Sequence, residues 1–299
     1  MKNYKQKIHP FFEGWYFRHN SKEHTLCIIV GRNVDSSGAG ASFVQIIYDE
    51  KTYNINFSLD DFIYLKSRFA IKVGKNYFTE KGVVLNIDTD EIKIKGKITY
   101  KDITPLSYSF MGPLSIIRNP ECQHEIASLN HSLHGVLRIN GEDVCFDNGR
   151  GYIEKDSGKS FPKHYNWISS NYFKDCQASI IAAVADIKLF GFNLKGCGCV
   201  ILYDDKQYRL ATYKGAEIKV NKPNKIVIEQ GVYRLCINIY NKDGQELLAP
   251  SNGNMSRIVK ESIDVKATFR FYKEDKIIFS LYSDRCCHEF ENKTHSLLK

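Results

Sequence analysis

The sequence predicts an all-β protein of two similar antiparallel barrel or sandwich domains with few, short helices. Three observations lead there. Apolar and polar residues alternate with period two along much of the chain, the pattern of strands with one buried face. Turn-forming residues interrupt the alternation at regular intervals. The first half of the chain is also faintly echoed in the second.

In order, Gly14-Trp15-Tyr16-Phe17 opens the first strand, and Leu26-Cys27-Ile28 belongs to another. Ser36 to Gly40 has the small residues of a turn. A short helix is expected over residues 58–62, where the Ser58 hydroxyl can cap the first turn. Val73-Gly74-Lys75-Asn76 is a turn, and Ile92 to Ile98 alternates isoleucine with lysine and glycine as a half-buried strand does. A second short helix is expected over residues 120–127. Val136 to Ile139 resumes the alternation and Asn140 to Asp143 turns it back. Tyr152 to Asp156 reads as extended, which puts Glu154 and Asp156 on one face and Lys155 on the other. Gly158 breaks that strand. Phe161-Pro162 fixes an extended turn, because proline locks its own dihedral and biases its predecessor away from helix. Strand resumes at Tyr165 to Ile168, and Lys225 to Ile228, Cys236 to Tyr240 and Val265 to Tyr272 follow, with turns at 241–244 and 273–275.

Adding 152 to Trp15, Lys22, Glu23, Ile28 and Ile29 gives Trp167, Lys174, Asp175, Ile180 and Ile181, so a tryptophan opens a hairpin of the same spacing in each half. Arg138 to Asp143 is echoed 132 residues later by Arg270 to Asp275. The expected domains are residues 1–158 and 159–299, with residues 149–167 at their seam. Each is long enough to bury a core.

Apolar residues make up 43% and charged residues 25%, a globular composition. The net charge of +8 is spread over isolated lysines. No basic run is interleaved with base-stacking aromatics, so nucleic acid is not an expected partner. A transient contact with an anionic membrane surface is compatible with this charge. Residues 1–7 lack the apolar core of a signal peptide. No apolar run approaches the ~20 residues of a membrane span, and a cytoplasmic protein is expected.

The nine cysteines are odd in number and scattered through apolar strands, where reduced thiols act as small buried hydrophobes. Cys197-Gly198-Cys199 and Cys286-Cys287 lack the spacing of a zinc site. His131 and His134 lack the parity to share a strand face with a third histidine, His124, so no metal is expected. Gly158-Lys159-Ser160 is no phosphate-binding loop, since Ile153 stands where that loop needs glycine. No serine sits in a nucleophile elbow.

Gly151-Tyr152-Ile153-Glu154-Lys155-Asp156, continued by Gly158, Phe161-Pro162, Tyr165, Trp167 and Asn171, resembles the central signature of the tocopherol cyclase family. Phe12 to Phe17, Met111-Gly112-Pro113, Glu121-Cys122 with His124-Glu125, and Asn130-His131 with Gly135 resemble its earlier motifs. Ala249-Pro250, Gly253, Met255, Ile258 and Glu261-Ser262 resemble the last ones, so the likeness spans nearly the whole chain. Ser157 stands where the family has tryptophan. The resemblance implies two lipocalin-like β domains, akin to carotenoid hydratase-type relatives, holding a lipophilic substrate where they meet. It implies ring closure on a prenylated quinol, in which an alkene is protonated and the phenol oxygen adds to the activated carbon. No redox change occurs, so no cofactor is implied. Two other functions suit such a cavity: a non-catalytic carrier of an isoprenoid-like lipid, and a hydratase in which water is the nucleophile.

Alkene protonation needs a donor that stays protonated near neutral pH, and a buried carboxyl beside another carboxylate does so. Glu154 and Asp156 offer that pair and are the catalytic candidates, although two such acids would also serve to clamp a basic residue of the second domain. His131, on the family pattern, is a third. Trp15, Tyr16, Tyr152, Ser157, Phe161, Trp167 and Asn171 are the expected substrate-binding residues, the aromatic faces among them able to stabilise a cation. Trp15 reads more readily as a core residue, since large aromatics in strands are mostly packing, and Trp167 reads equally either way. Ser157 is expected to face the cavity and widen it where the family has an indole. Glu13, Glu261 and His124 are secondary candidates.

Overall fold

The computed structural model describes residues 9–117, 120–189, 192–240 and 242–292. The stretch read for a signal peptide and Asn241 of a predicted turn lie outside them. Strands take up 71% and helix 5%, so the protein is all-β, as the period-two alternation requires.

The first sheet holds β1 (Phe11–Asn20), β2 (Thr25–Val34), β3 (Gly40–Tyr48), β4 (Lys51–Phe57), β5 (Phe62–Leu65), β6 (Ala70–Val73), β7 (Asn76–Thr79), β8 (Gly82–Asp88), β9 (Lys93–Thr104), β10 (Cys122–Ile139), β11 (Glu142–Cys145) and β12 (Gly149–Gly158). Its order is β4-β3-β2-β1-β12-β10-β9-β8-β7-β6-β5, with β11 beside β10. The second holds β13 (Tyr165–Ser170), β14 (Ala178–Leu189), β15 (Phe192–Tyr203), β16 (Lys206–Ala211), β17 (Glu217–Lys222), β18 (Lys225–Gln230), β19 (Tyr233–Tyr240), β20 (Gln245–Ser251), β21 (Asn254–Lys273) and β22 (Lys276–Glu291). Its order is β16-β15-β14-β13-β22-β21-β19-β18-β17, with β20 beside β21. All pairings are antiparallel, and one sheet curls into a nearly closed barrel.

The two orders correspond strand for strand from β4/β16 through β1/β13 and β12/β22 to β7/β17. The repeat seen in the sequence thus lies on matching strands, but its tryptophans do not match in orientation. Trp15 packs inside the first sheet with Phe17 and Ile28, whereas Trp167 packs between the sheets with Tyr16. A one-residue difference in register puts a side chain on the opposite face, so Trp167 shares its orientation with Tyr16, not with Trp15.

Two predicted helices fare differently. Residues 59–61 form a single 3-10 turn, with the Ser58 hydroxyl accepting from the Asp60 N–H. Residues 120–127 are not helical: β10 starts at Cys122 and pairs with β12 from Cys122 opposite Gly158 onward. That ladder satisfies every backbone group the weak helical propensity of the segment would otherwise leave to a helix. A 3-10 turn lies just upstream instead, at Gly112–Ile116.

Buried side chains fall into three groups, one within each sheet and a third between them. β1 is buried on both faces, Trp15 and Phe17 inward and Tyr16 and Arg18 toward the other sheet. With both faces covered, β1 carries apolar residues on each, Phe12 and Tyr16 on one and Phe11, Trp15 and Phe17 on the other, and this is why its alternation is faint in the sequence.

Candidate active site between the sheets

Cross-strand pairing assembles one wall. Gly14 of β1, Asp156 of β12 and His124 of β10 lie side by side, as do Tyr16, Glu154 and Ile126 in the next row. Directly opposed residues share a face, so both carboxyls, the imidazole and the Tyr16 ring all point at the second sheet. The facing wall follows the same rule: Trp167 of β13 stands opposite Glu289 of β22, which stands opposite Glu261 of β21. Between the walls is a cavity of about 410 Å³, within the size range of small-molecule sites. Phe12, Phe43, Phe110, Phe161, Tyr165 and Trp167 supply aromatic surface, and Leu247, Ala249 and Val259 aliphatic surface.

The polar groups are few and mutually bonded. His124 Nδ1 is 2.9 Å from Asp156 Oδ1, and its Nε2 lies 3.5 Å from Glu154 Oε2, close enough for charge attraction but without hydrogen-bond geometry. Three tyrosines donate to three glutamates, Glu154 and Glu261 buried and Glu289 half-buried: Tyr152 to Glu154 Oε2 at 2.5 Å, Tyr16 to Glu261 Oε1 at 2.5 Å, and Tyr165 to Glu289 Oε2 at 2.6 Å. Phe110 sits edge-on to His124, with centroids 4.8 Å apart.

Burial pushes the Glu154 carboxyl up to about 7, with Asp156 adding to the rise and His124 and Tyr152 opposing it. Burial likewise raises Glu289 to about 8, Tyr165 opposing and Glu154 and Asp156 contributing from across the cavity. Glu261 stands well above its usual range through burial, Cys287 and its neighbour Glu289. For His124, burial disfavours the cation, but Asp156 and Glu154 outweigh it and lift the imidazole to about 9. Near neutral pH the site therefore holds a protonated His124 beside a Glu154 carboxyl poised between its two forms.

Of the residues singled out in the sequence, Glu154, Asp156, Tyr16, Phe161 and Trp167 line the cavity. Tyr152 stands behind Glu154 and bonds to it. The secondary candidates His124 and Glu261 line it too, and the remaining ones lie elsewhere. Trp15 is core, stacked on Phe62 and covered by the Lys155 ammonium. His131 is opposite Gly151, whose missing side chain leaves room for the imidazole: a Cβ there would lie 2.0 Å from His131 Nε2. It bonds to Ser128 Oγ at 2.9 Å, packs on Tyr100, and is lowered to about 3 by burial and by His19. Such a group is a neutral part of the core, and it does not line the cavity. Ser157 has the parity of Ile153 and Lys155 and does not line the cavity, so it cannot widen it; the expectation failed because a strand offers only alternate residues to one face. Asn171 lies between the sheets but accepts from Arg18 and donates to the Gly151 carbonyl, holding the sheets together. Glu13 pairs with Arg32 on the inner face of β1.

His124 is the histidine that reaches the cavity, and Glu289 and Tyr165 complete the opposite wall. Glu289 carried no motif, and only its alternation with Cys287 on a strand near the chain end hinted at its face. Among the described residues two groups bring three potential metal donors within 4.8 Å of one another, His124 with Glu154 and Asp156, and Cys27 with Glu261 and Cys287. One oxygen of each acid has a partner, Tyr152 on Glu154, His124 on Asp156 and Tyr16 on Glu261, while Glu261 Oε2 is buried with none among the described residues. No described helix is long and apolar enough to cross a membrane.

The family model for tocopherol cyclase-like proteins matches residues 88–291, from the end of β8 to the end of β22. The chain belongs to the tocopherol cyclase-like family. Both carboxyl walls of the cavity, except Gly14 and Tyr16, fall within the match. Comparison with curated proteins gives no match. Among solved structures, one assigned as AttH from Nitrosomonas europaea is similar with a TM-score of 0.56 and 12% identity, over 95% of this chain and 92% of that one. Kievitone hydratase from Nectria haematococca is similar with a TM-score of 0.52 and 13% identity, over 95% and 89%. At such identities the likeness is one of fold.

Proposed function

We propose that this protein is an intramolecular cyclase of the tocopherol cyclase type, an isomerase closing a ring on a prenylated quinol or a related lipophilic substrate. The observation that carries the reading is a carboxyl, Glu154, held at about 7 on the wall of an otherwise aromatic cavity. A general acid works best when its pKa lies near the operating pH. Glu154 gives its proton to the less substituted alkene carbon, leaving cationic character on the tertiary carbon. The faces of Phe161, Tyr165 and Trp167 stabilise that centre, and the closed walls keep water from capturing it. The phenol oxygen then bonds to the tertiary carbon, and its proton returns to the Glu154 carboxylate. Product and substrate have the same composition. His124 orients Asp156 and tempers the charge that builds beside it when Glu154 ionises. Trp167 Nε1, buried without a partner among the described residues, is a donor for a substrate oxygen.

Hydration of an isoprenoid-like double bond is the second reading, favoured by the likeness to kievitone hydratase. The same acid would act, with water held by the His124–Asp156 pair as nucleophile. A carrier without chemistry would need none of the three tyrosine–glutamate pairs. The test is to extract the purified protein, identify the bound lipid by mass spectrometry and incubate it with wild type and Glu154→Gln. A product of unchanged mass that Glu154→Gln fails to form is expected. Gain of one water would establish the hydratase, and an unaltered lipid with wild type would sink both.

A further inference from the structure

The two most exposed large apolar side chains among the described residues are Ile116, 84% exposed, and Phe192, 71% exposed, followed at the same location by Leu194 at 50%. They flank one opening. Ile116 ends the 3-10 turn whose neighbours Leu114 and Ile117 line the cavity, and Phe192 and Leu194 begin β15, where Leu194 pairs with Ile187, both lining it too. A salt bridge of 3.5 Å from Lys188 on this hairpin to Glu121 holds the two segments side by side. An apolar surface thus continues from the rim into the cavity. Exposed apolar side chains scattered singly need no explanation, but a cluster at the mouth of an apolar cavity marks a contact site.

The charge around the rim selects the partner. Lys188 and Lys195 line the mouth, and Lys214 is exposed beside Tyr213, which lines it. The acidic groups nearby are engaged, Glu121 by Lys188 and Asp186 by His164 at 2.9 Å, whereas Lys195 and Lys214 make no ion pair among the described residues. Apolar side chains beside these two lysines, Lys214 and Lys195, the latter opposite Asp186 on the neighbouring strand, match the interface of an anionic bilayer, where the apolar groups enter the acyl boundary and the ammonium groups meet the headgroups. The net charge of +8 adds long-range attraction.

We infer that the rim formed by Ile116, Phe192 and Leu194 docks the protein on an anionic membrane surface, with the cavity mouth facing the lipid, so that a lipophilic substrate passes from bilayer to Glu154 without crossing water. The passage rests on the proposed function; the docking is measured without any turnover. The experiment is flotation of the full chain with vesicles of phosphatidylcholine alone and with added phosphatidylglycerol. Binding is expected only with phosphatidylglycerol, weaker at high salt. The double variant Ile116→Ser, Phe192→Ser removes exposed side chains and should fold. It is expected to bind roughly tenfold less, and Lys195→Glu with Lys214→Glu should reduce binding as well. Absence of binding by wild type, or binding unchanged in the apolar double variant, overturns the inference. So does a concentration-dependent dimer lost in that variant with no effect on vesicles, which would make the rim a contact between copies. Vesicle binding without any lipid in the cavity would count against the proposed function and leave the docking intact; bound lipid without vesicle binding would do the reverse.

Discussion

Glu154 derives its character from its immediate neighbours. Burial raises it, and Asp156 two residues away adds to the rise. The proposed protonation needs its acid form, so the rate should fall as pH rises through about 7, which a pH profile of single-turnover rate would measure. Glu154→Gln keeps the shape and removes the proton, and should lower turnover by at least ~100-fold, the usual contribution of a general acid, while the extracted lipid is unchanged. A flat pH profile or an active glutamine variant would move the acid to Glu289. Ser157 gives the complementary case. It lies on the face of Ile153 and Lys155, half-buried and outside the cavity. Ser157→Trp should therefore leave the bound lipid unchanged and alter stability by no more than about 1 kcal/mol, read by mass spectrometry and thermal unfolding. The departure from the family motif was legible in the sequence; the face it falls on required parity counted from an established register.

At the scale of elements, the ladder β1-β12-β10 decides what each histidine meets. His124 and His131 stand seven apart on β10 and so face opposite sides, and the strand carries two one-residue register shifts, between Ile126 and Ser128 and between Ser128 and His131, which cancel in parity. His124 stands across from Asp156, and the shifts set His131 across from Gly151 where a regular ladder would give Gly149. Local alternation cannot reveal a bulge, because the inserted residues look like any others. The pairing of His131 with Gly151 makes a sharp prediction. Gly151→Ala places a Cβ 2.0 Å from His131 Nε2, and should cost about 1–3 kcal/mol, the range of overpacking in a core, with the bound lipid retained. Denaturant unfolding measures it, and a second change, His131→Ala, should recover part of the loss. Equal instability with and without that imidazole would contradict the packing described.

Across the whole molecule, burial of ionisable groups sets the response to pH. Glu289 and His124 have folded-state values raised to about 8 and about 9. A raised value stabilises fully below the unfolded value and is lost as pH rises through the folded one. His19, His131 and His288 are lowered by burial to about 4, 3 and 4, so their contribution is present above the ordinary histidine value and lost as pH falls. Between about pH 6.5, the ordinary histidine value, and pH 8, Glu289, His124 and Glu261, with Glu154 up to about 7, hold protons that the unfolded chain has released; they outnumber the Cys287 thiol, lowered to about 6, which acts the other way, and unfolding free energy should decline. Glu289→Gln should flatten that decline in denaturant titrations at the two ends of the interval; an unchanged slope would place Glu289 in a solvated setting.

The sequence by itself determined the class of fold and the membership of a family, because period-two alternation, turn residues and motif order are properties of neighbouring residues. It also brought forward Glu154 and Asp156, whose spacing of two needs only an extended strand to share a face. The tertiary structure alone decided the rest. Tyr16 bonds to Glu261 across 245 residues of chain, and Glu154 raises Glu289 from a different sheet. Whether Trp15 or Trp167 meets a ligand turns on one residue of register, and register is set by which strands pair. Long-range pairing leaves no local mark, so a cavity built between two sheets becomes visible only when both are folded.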